Sequence, residues 1–211
     1  MPLNKKLLNS AKLYLILDAQ VVGYDRLFLI LKAAVRGGVD IVQLRDKNGN
    51  VKDILSFCRK ALKVTAGKAL FIVNDRVDLA LLSKADGVHL GQDDIACVEA
   101  RRLMGPKAII GVSCQTLAQA RKAQKDGADY IGFGSVFKTK TKPGRQPMDL
   151  KILSRVIKEI KVPVFPIGGI SRSNIETLTG IGVSRAAVCR DILLAKDVGG
   201  CVGELKKILR G

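Results

Sequence analysis

A short segment rich in lysine and threonine carries the strongest chemical signal in the sequence. It runs from Val136 to Gly144, reads V-F-K-T-K-T-K-P-G, and directly follows an apolar run over 130–134. In an extended loop, alternation would place Thr139 and Thr141 on one side and the lysines, Lys142 among them, on the other. Hydroxyl and ammonium groups on one loop can hold an oxyanion, and a phosphorylated ligand is the obvious candidate. A solvated basic surface loop is the alternative.

A second polar group follows the apolar run Val39–Leu44. Gln43, Arg45 and Lys47 alternate along the chain, so an extended backbone would place all three on one face. An amide, a guanidinium fork and an ammonium group in one place can hold a polyanion such as a diphosphate. The alternative is a simple ion pair between Arg45 and its neighbour Asp46.

Carboxylates follow the next two apolar runs. The sequence reads Asn74-Asp75-Arg76 after one run and Gly91-Gln92-Asp93-Asp94 after the other. If the two runs are adjacent strands, Asp75 would lie close to Asp94 or Asp93. Two carboxylates beside a phosphate site suit Mg²⁺, which takes a few protein oxygens and leaves other positions to water and substrate phosphates. The alternative is that Asp75 and Asp93 only cap the helices that follow.

Three further signals lie at or near strand ends. The lone histidine, His89, falls inside an apolar run, and we expect it to be structural. Ser113 places a hydroxyl after the fifth run. The pair Gly168-Gly169 follows the seventh run and is predicted to open a helix, where backbone N–H groups would suit a phosphate. A tight turn that needs glycine is the alternative.

Short apolar runs alternate with amphipathic stretches along the chain. Eight runs predict β-strands: Lys12–Leu17, Val39–Leu44, Ala69–Val73, Gly87–Leu90, Ala108–Val112, Asp129–Phe133, Pro163–Ile167 and Arg185–Val188. The stretches that predict helices include Arg26–Arg36, Val51–Ala66, Leu117–Asp126, Leu150–Ile160 and Ile175–Thr179. The strands show little polar alternation, as expected when both faces of a parallel sheet are buried.

This alternation favours an α/β fold, a (β/α)8 barrel (TIM barrel) forming a single domain over residues 1–211. Several helix ends share a similar turn phrase, as in Gly37-Gly38-Val39-Asp40 and Gly127-Ala128-Asp129-Tyr130, and this repetition suggests a cyclic arrangement. A doubly wound sheet is the alternative, but no G-x-G-x-x-G phrase follows the first strand. In a barrel the chemistry lies at the C-terminal strand ends, which is where the polar residues fall.

The charge balance is strongly basic, with a formal net charge of +17. Nucleic-acid binders usually concentrate their charge and supply aromatic side chains for stacking. Here the basic residues are scattered and aromatic residues are only 4% of the chain. We therefore expect small phosphorylated substrates, with no nucleic-acid or membrane partner. A homo-oligomer is compatible with the sequence.

Cysteine usage indicates a reducing compartment. The five cysteines are odd in number and form no C-x-x-C pair, which argues against a zinc site and a disulfide framework. The N-terminal residues faintly resemble a leader, but the apolar run Leu13–Leu17 is short and is flanked by Lys12 and Asp18. We expect a cytoplasmic protein with no membrane span.

The polar residues thus form two groups. Those after strands two to four suit a metal-bound diphosphate, and those after strands six to eight suit a monophosphate. Together they suggest transfer of a group from a diphosphate to a phosphorylated acceptor. No Cys-His or Ser-His-Asp arrangement offers a nucleophile.

The chain resembles the thiamine phosphate synthase (thiamine-phosphate pyrophosphorylase) family. Six phrases occur in that family's order: Q-L-R-D-K, I-V-N-D-R, H-L-G-Q-D-D, G-V-S, G-S-V-F-K-T-K-T-K-P and P-I-G-G-I. The resemblance implies a barrel transferase that joins hydroxymethylpyrimidine diphosphate to hydroxyethylthiazole phosphate, giving thiamine phosphate and pyrophosphate with Mg²⁺ as cofactor.

Site residues carry over from the same phrases. The pyrimidine diphosphate would be held by Gln43, Arg45, Asp46, Lys47, Asn74, Ser113 and Lys142, of which Arg45, Lys47, Ser113 and Lys142 would act in catalysis. Asp75 and Asp94 would bind Mg²⁺, because the family uses the second aspartate of the G-Q-x-D phrase. The thiazole phosphate would be held by Thr139, Thr141 and Gly169, with the backbone at Cys189 and Arg190 closing the site.

The chain departs from the family pattern at three places. Gln115 stands where relatives often carry histidine, Arg190 where a small serine is usual, and Gly134-Ser135 where Gly-Pro is common. A related thiazole tautomerase is the nearest rival, yet its proton transfer relies on a histidine near the position of Gln115. A nucleic-acid-binding protein and a barrel that binds phosphorylated ligands without turnover are the remaining alternatives.

Overall fold

The computed structural model describes residues 3–139 and 146–210. The strands are β1 (Leu13–Asp18), β2 (Ile41–Arg45), β3 (Leu70–Asn74), β4 (Gly87–Leu90), β5 (Ile109–Cys114), β6 (Tyr130–Phe133), β7 (Val164–Pro166) and β8 (Ala186–Val188). The helices are α1 (Leu3–Ser10), α2 (Tyr24–Arg36), α3 (Val51–Thr65), α4 (Val77–Ser83), α5 (Cys97–Met104), α6 (Leu117–Lys125), α7 (Leu150–Glu159), α8 (Ile175–Thr179), α9 (Arg190–Leu193) and α10 (Val198–Arg210).

The eight strands form one parallel sheet that closes on itself. Consecutive strands from β1 to β7 are neighbours, and β8 pairs with β1. A parallel bridge between Ile167 and Ala187 brings the β7 end to β8 and completes the ring. This closure, with a helix after each strand, confirms the predicted (β/α)8 barrel and excludes the open doubly wound sheet.

Alternation along each strand divides the core into two layers. In β1, Leu13, Leu15 and Leu17 belong to the larger cluster, which also contains the helix residues. Tyr14 and Ile16 belong to a smaller cluster inside the barrel. Both sets are buried, which explains why the strands read as nearly continuous apolar runs.

The N-terminal segment folds as α1 and contributes to the interior cluster. Leu8 is 1% exposed and joins Tyr14, Ile41 and Tyr130 in that cluster. Among the described residues, no helix combines the length and the apolar character needed to cross a bilayer. The helix α1 was not predicted from the sequence.

The loop after β7 differs from the prediction. Gly168 and Gly169 have positive φ angles of 104° and 65°, but α8 begins only at Ile175. The glycine pair therefore does not open a helix, and that prediction is wrong. The alternative of a turn that needs glycine is confirmed by the positive φ angles, and space requires glycine as well, because a Cβ at Gly168 would lie 2.0 Å from Ser135 Oγ. The glycine pair lets the loop after β7 pack directly against the loop after β6.

Candidate active site

A cavity of about 460 Å³ is lined by residues from the C-terminal ends of the strands and from the loops beyond them. Such a position is where barrel enzymes carry their active sites. Eight of the predicted site residues line it: Gln43, Arg45, Asn74, Ser113, Thr139, Gly169, Cys189 and Arg190. The cavity thus brings together residues that are far apart in the chain.

Arg45 is fixed at the cavity wall by a buried ion pair. Its Nη1 lies 2.8 Å from Asp18 Oδ2, and the side chains are only 9% and 1% exposed. The same nitrogen donates to Gln20 Oε1 at 3.1 Å. Asp18 and Arg45 are register partners across β1 and β2, so the parallel pairing itself aligns them. The alternative of an ion pair between Arg45 and Asp46 is wrong, because the partner of Arg45 is Asp18.

The Asp46 side chain forms hydrogen bonds within the protein that stabilise the loop after β2. Its carboxylate accepts hydrogen bonds from the Tyr24 hydroxyl and from the backbone N–H groups of Asn48 and Gly49. Burial raises the pKa of Asp46, but these hydrogen bonds outweigh it and the pKa lies below its usual value. Asp46 does not line the cavity. Its assignment to substrate binding therefore rests on the sequence resemblance alone.

Lys47, Asp75 and Asp94 form a charged group beside the cavity. Lys47 Nζ lies 3.0 Å from Asp75 Oδ2, with the lysine side chain half exposed. Asp94 accepts a 2.6 Å hydrogen bond from the backbone N–H of Gly91. Burial raises the pKa of Asp94, and a hydrogen bond to Asp75 and the charge of that carboxylate raise it further. The two acids from neighbouring strand ends are therefore in contact.

Neither Asp75 nor Asp93 caps a helix. The residue at the N-cap of α4 is Arg76, and that of α5 is Ala96, so the capping interpretation of Asp75 and Asp93 is wrong. Asp75 has a positive φ of 61° and its N–H donates to the His89 carbonyl at 2.8 Å. A left-handed conformation is uncommon for a residue other than glycine. The tight turn directs the Asp75 side chain toward Lys47 and Asp94.

His89 lines the cavity together with Ser113. Its Nε2 lies 2.9 Å from Ser113 Oγ, and its Nδ1 lies 3.0 Å from the Tyr130 hydroxyl. The ring is 8% exposed, so it is held on both sides rather than solvated. Gln92 Nε2 donates to the Ser113 carbonyl at 2.6 Å and fixes that strand end from outside.

The opposite side of the cavity is built by the loops after β6, β7 and β8. Lys138, Thr139 and Gly169 line it, and the N–H of Phe137 donates to the Gly168 carbonyl at 2.9 Å. Thr141 and Lys142 lie outside the described residues.

Two arginines at this side differ in their surroundings. Arg172 is paired with Asp191 and Glu204, each at 3.2 Å. The Arg190 guanidinium makes no ion pair with the residues that the structure describes, and it lines the cavity. Arg190 is thus a cation that an anionic ligand could meet. Gln115, by contrast, is exposed and does not line the cavity; its N–H donates to Gln119 Oε1 at 2.7 Å.

Asp18, Tyr14 and Tyr130 are among the residues of this site that were not predicted from the sequence. Asp18 follows an apolar run just as Asp75 does, and that position was the available signal. Tyr14 and Tyr130 read as core residues because they lie inside predicted strands. Only the closed barrel shows that both hydroxyls point into its interior, at 2.7 Å from each other.

Comparisons with known proteins agree on one family. The family model described as thiamine monophosphate synthase matches residues 13–192. A thiamine-phosphate synthase of Fusobacterium nucleatum is 38% identical over 207 residues, covering 96% of this chain and 98% of that protein. One from Gloeobacter violaceus is 45% identical over 193 residues, covering 91% of this chain. The chain spans only 55% of the Gloeobacter protein, so that relative is considerably longer.

A similar solved structure indicates the same family. The thiamine phosphate pyrophosphorylase from Pyrococcus furiosus is 35% identical, with a TM-score of 0.86. The match covers 99% of this chain and 98% of that one.

Proposed function

The chain belongs to the thiamine monophosphate synthase family, and from that premise we propose that it makes thiamine phosphate. The substrates would be 4-amino-2-methyl-5-hydroxymethylpyrimidine diphosphate and 4-methyl-5-hydroxyethylthiazole phosphate, and the second product pyrophosphate. The observation that carries the proposal is the cavity that joins Arg45 and Asn74 to Thr139 and Gly169. Its walls offer one place for each phosphorylated substrate.

The pyrimidine diphosphate would lie on the side formed by β2 to β5. Arg45 is held in place before the ligand arrives, so little ordering cost falls on binding. Gln43, Asn74 and Ser113 line the same side and offer neutral polar groups to the ring. Lys47 would neutralise the diphosphate from the rim, and Lys142 would join it from the loop after β6.

Asp75 and Asp94 fit a divalent cation. They are two carboxylates in contact, and burial together with the neighbouring Asp75 raises the pKa of Asp94, an unfavourable charge that a bound cation would compensate. Among the described residues, no group of three or more His, Cys, Asp or Glu side chains could hold a metal. A site with two protein carboxylates suits Mg²⁺, which keeps positions for water and phosphate oxygens. Bound there, the ion would neutralise charge on the leaving diphosphate.

The thiazole phosphate would lie against the loops after β6 and β7. Thr139 offers a hydroxyl, and Gly169 lets the loop after β7 pack against Lys138, since a Cβ there would come within 2.4 Å of the Lys138 carbonyl. Cys189 and Arg190 would close this side, with Thr141 contributing from the segment beyond Thr139. The Arg190 guanidinium would add a direct charge to phosphate binding.

The reaction we propose is dissociative. The bond between the pyrimidine methylene carbon and the diphosphate oxygen breaks, and both electrons leave with pyrophosphate. The lone pair of the thiazole nitrogen then forms the new carbon–nitrogen bond. No protein nucleophile is needed. Arg45, Lys47 and Lys142 would stabilise the charge that develops on the leaving group, and the cavity would limit the access of water to the pyrimidine cation.

The five free cysteines agree with a reducing compartment, and we propose the cytoplasm as the site of action.

The test is turnover by the purified chain. Both substrates are mixed with the protein with and without Mg²⁺, and thiamine phosphate is followed by mass. Product that depends on both substrates and on Mg²⁺ is expected. Arg45→Ala should reduce the rate about 10²- to 10³-fold, as for removal of one transition-state donor. Arg76→Ala, which removes an exposed arginine paired with Asp78, is the matched control and should keep its rate. Absence of product from wild-type protein would refute the proposal.

A further inference from the structure

Five side chains form a continuous hydrogen-bonded chain across the interior of the barrel. Gln43 Nε2 donates to the Tyr14 hydroxyl at 2.8 Å, and that hydroxyl lies 2.7 Å from the hydroxyl of Tyr130. Tyr130 in turn lies 3.0 Å from His89 Nδ1, and His89 Nε2 lies 2.9 Å from Ser113 Oγ. The residues come from β2, β1, β6, β4 and β5, so the chain links opposite walls of the cavity.

The middle of this chain is buried. Tyr14 and Tyr130 are 2% and 0% exposed, and Gln43 is 3% exposed. Burial raises the pKa of both tyrosines well above the usual value, so both remain protonated at neutral pH. Each hydroxyl therefore has one proton to donate, and its direction matters because an unpaired polar group in a buried position is costly.

Two glycines make room for the rings. A Cβ at Gly111 would lie 2.0 Å from Cζ of Tyr130, and a Cβ at Gly132 would lie 3.1 Å from Cε1 of His89. Neither glycine has a positive φ, so space rather than backbone conformation explains them. The strands β5 and β6 are thus shaped to accommodate this arrangement of side chains.

The contact from Gln43 implies an order of donors. If Tyr14 accepts from Gln43, its own proton goes to Tyr130, and the Tyr130 proton goes to His89 Nδ1. A doubly protonated His89 would donate at Nδ1 as well, and one tyrosine proton would then have no acceptor. In this order His89 would be neutral, with its single proton on Nε2, and would donate to Ser113.

We propose that Tyr14, Tyr130 and His89 are positioning residues that set the hydrogen-bond polarity of the substrate cavity. Ser113 accepts from His89 and so presents its own proton to the cavity as a donor. At the other end, Gln43 uses its amide nitrogen within the chain and keeps its oxygen as an acceptor. A ligand must then place an acceptor at Ser113 and a donor at Gln43.

This polarity selects a class of ligand. An aminopyrimidine carries ring nitrogens that accept and an amino group that donates, whereas a ring bearing a carbonyl in place of the amino group would present a second acceptor to the Gln43 oxygen. The choice of an aminopyrimidine as the ligand rests on the proposed function. The order of donors and acceptors along the chain does not, because it follows from hydrogen bonds within the protein.

The test uses the fact that His89 is the only histidine in the chain. Protein labelled with ¹⁵N-histidine gives one imidazole signal pair, whose nitrogen shifts and couplings report which nitrogen carries the proton. The expected result is a neutral imidazole protonated on Nε2. An Nδ1-protonated ring or an imidazolium at neutral pH would overturn the proposal. No turnover is needed, so failure of the proposed reaction would leave this result readable.

Two tyrosine variants locate the cause. Tyr130→Phe removes the donor to Nδ1 and should populate both neutral tautomers. Tyr24→Phe is the control, since it removes a tyrosine hydroxyl that donates to Asp46 and takes no part in this chain, and the Nε2-protonated form should persist. If Tyr130→Phe also keeps that form alone, the tyrosine does not set the tautomer and the proposal fails.

Steady-state kinetics distinguish a positioning role of Tyr130 from a general disturbance of the active site. Tyr130→Phe should raise the KM for the pyrimidine diphosphate about tenfold, the effect of roughly one hydrogen bond. The effect falls on KM rather than kcat because the hydrogen bond from Ser113 to the pyrimidine ring would stabilise the ground state and the transition state equally. The KM for the thiazole phosphate should stay within about twofold, since its phosphate lies on the other wall. An equal rise for both substrates, or no rise for either, would contradict the role assigned to Tyr130.

Discussion

The buried ion pair between Arg45 and Asp18 places a fixed cation at the wall of the cavity. A guanidinium held from behind can face a diphosphate without first losing side-chain freedom. The same burial makes the pair sensitive to substitution, because removal of either residue leaves the other charge buried without a counter-ion. Substitution of Asp18 therefore tests both the stability and the activity that depend on this pair.

Asp18→Asn should lower both activity and stability. It leaves the buried Arg45 charge without its counter-ion, which costs about 3 kcal/mol, or about 6–12 °C in Tm for a chain of this size. Thermal unfolding and steady-state turnover are the measurements. Asp78→Asn is the control, because its ion pair with Arg76 is exposed and its removal should cost less than about 0.5 kcal/mol. Equal effects of the two substitutions would contradict the role of Asp18.

Asp94→Asn should separate metal binding from folding. The pKa of Asp94 is raised in the folded protein, so between the unfolded and folded pKa values the folded state binds more protons. Stability from this group is therefore lost as pH rises through that interval, and at neutral pH ionised Asp94 opposes folding of the metal-free protein. The variant should be at least as stable as wild type without Mg²⁺ at pH 7, and this difference should vanish in acid.

The same variant should need more Mg²⁺. We expect the half-saturating concentration for turnover to rise about tenfold or more, by analogy with losses at other metal sites. Asp93→Asn is the matched control, because Asp93 is exposed and adjacent in sequence. A Mg²⁺ titration of turnover distinguishes the two. An unchanged requirement in Asp94→Asn, or an equal change in Asp93→Asn, would remove Asp94 from the metal site.

Several pairings between residues could not be anticipated from the sequence. Gln43 and Arg45 were identified because their alternation and charge are visible in one short phrase. Asp18 was not, because its partner is 27 positions away and only strand register pairs them. His89 was expected to be structural, since nothing local indicates that a tyrosine from β6 and a serine from β5 hold its two nitrogens.

At the scale of elements, the strands were more predictable than the helices. All eight predicted strands are present with boundaries shifted by at most two residues, because burial of both faces leaves clear apolar runs. Helices were expected after β3 and β4 without stated bounds, whereas α1, α9 and α10 were not predicted. The helix α9 has only four residues, and α10 contains Gly199, Gly200 and Gly203, which weaken the helical signal. Packing against the barrel, rather than propensity, stabilises them.

Two strand elements, β5 and β6, depend on glycine for the site they carry. Gly111→Ala places a methyl group 2.0 Å from the ring of fully buried Tyr130, so the ring or the strand must move. Overpacking of this kind costs about 1–3 kcal/mol or more. Chemical denaturation measures that loss.

A second glycine supplies the control. Gly203→Ala, in an exposed part of α10 with nothing within 4 Å of the added Cβ, should stabilise the protein by about 0.5–1 kcal/mol through helix propensity. If Gly111→Ala were equally harmless, Gly111 would not be required for space beside Tyr130.

At the scale of the whole molecule, the charge of +17 suits anionic substrates. The positive charge of the protein around the cavity raises the local concentration of phosphorylated ligands, and this attraction is screened by salt. Raising NaCl from about 0.05 M to about 0.5 M should lower kcat/KM severalfold, mainly through KM. Steady-state kinetics across that range is the measurement. Rates independent of salt would show that the charge serves another purpose, such as solubility.

The central claim is that one cavity holds both phosphorylated substrates and joins them. The most direct measurement is the stoichiometry of turnover by the purified chain in Mg²⁺, with thiamine phosphate and pyrophosphate quantified together. We predict one pyrophosphate per thiamine phosphate, with neither product formed when either substrate or Mg²⁺ is omitted. Pyrophosphate released without thiamine phosphate, or no product with both substrates present, would contradict this claim.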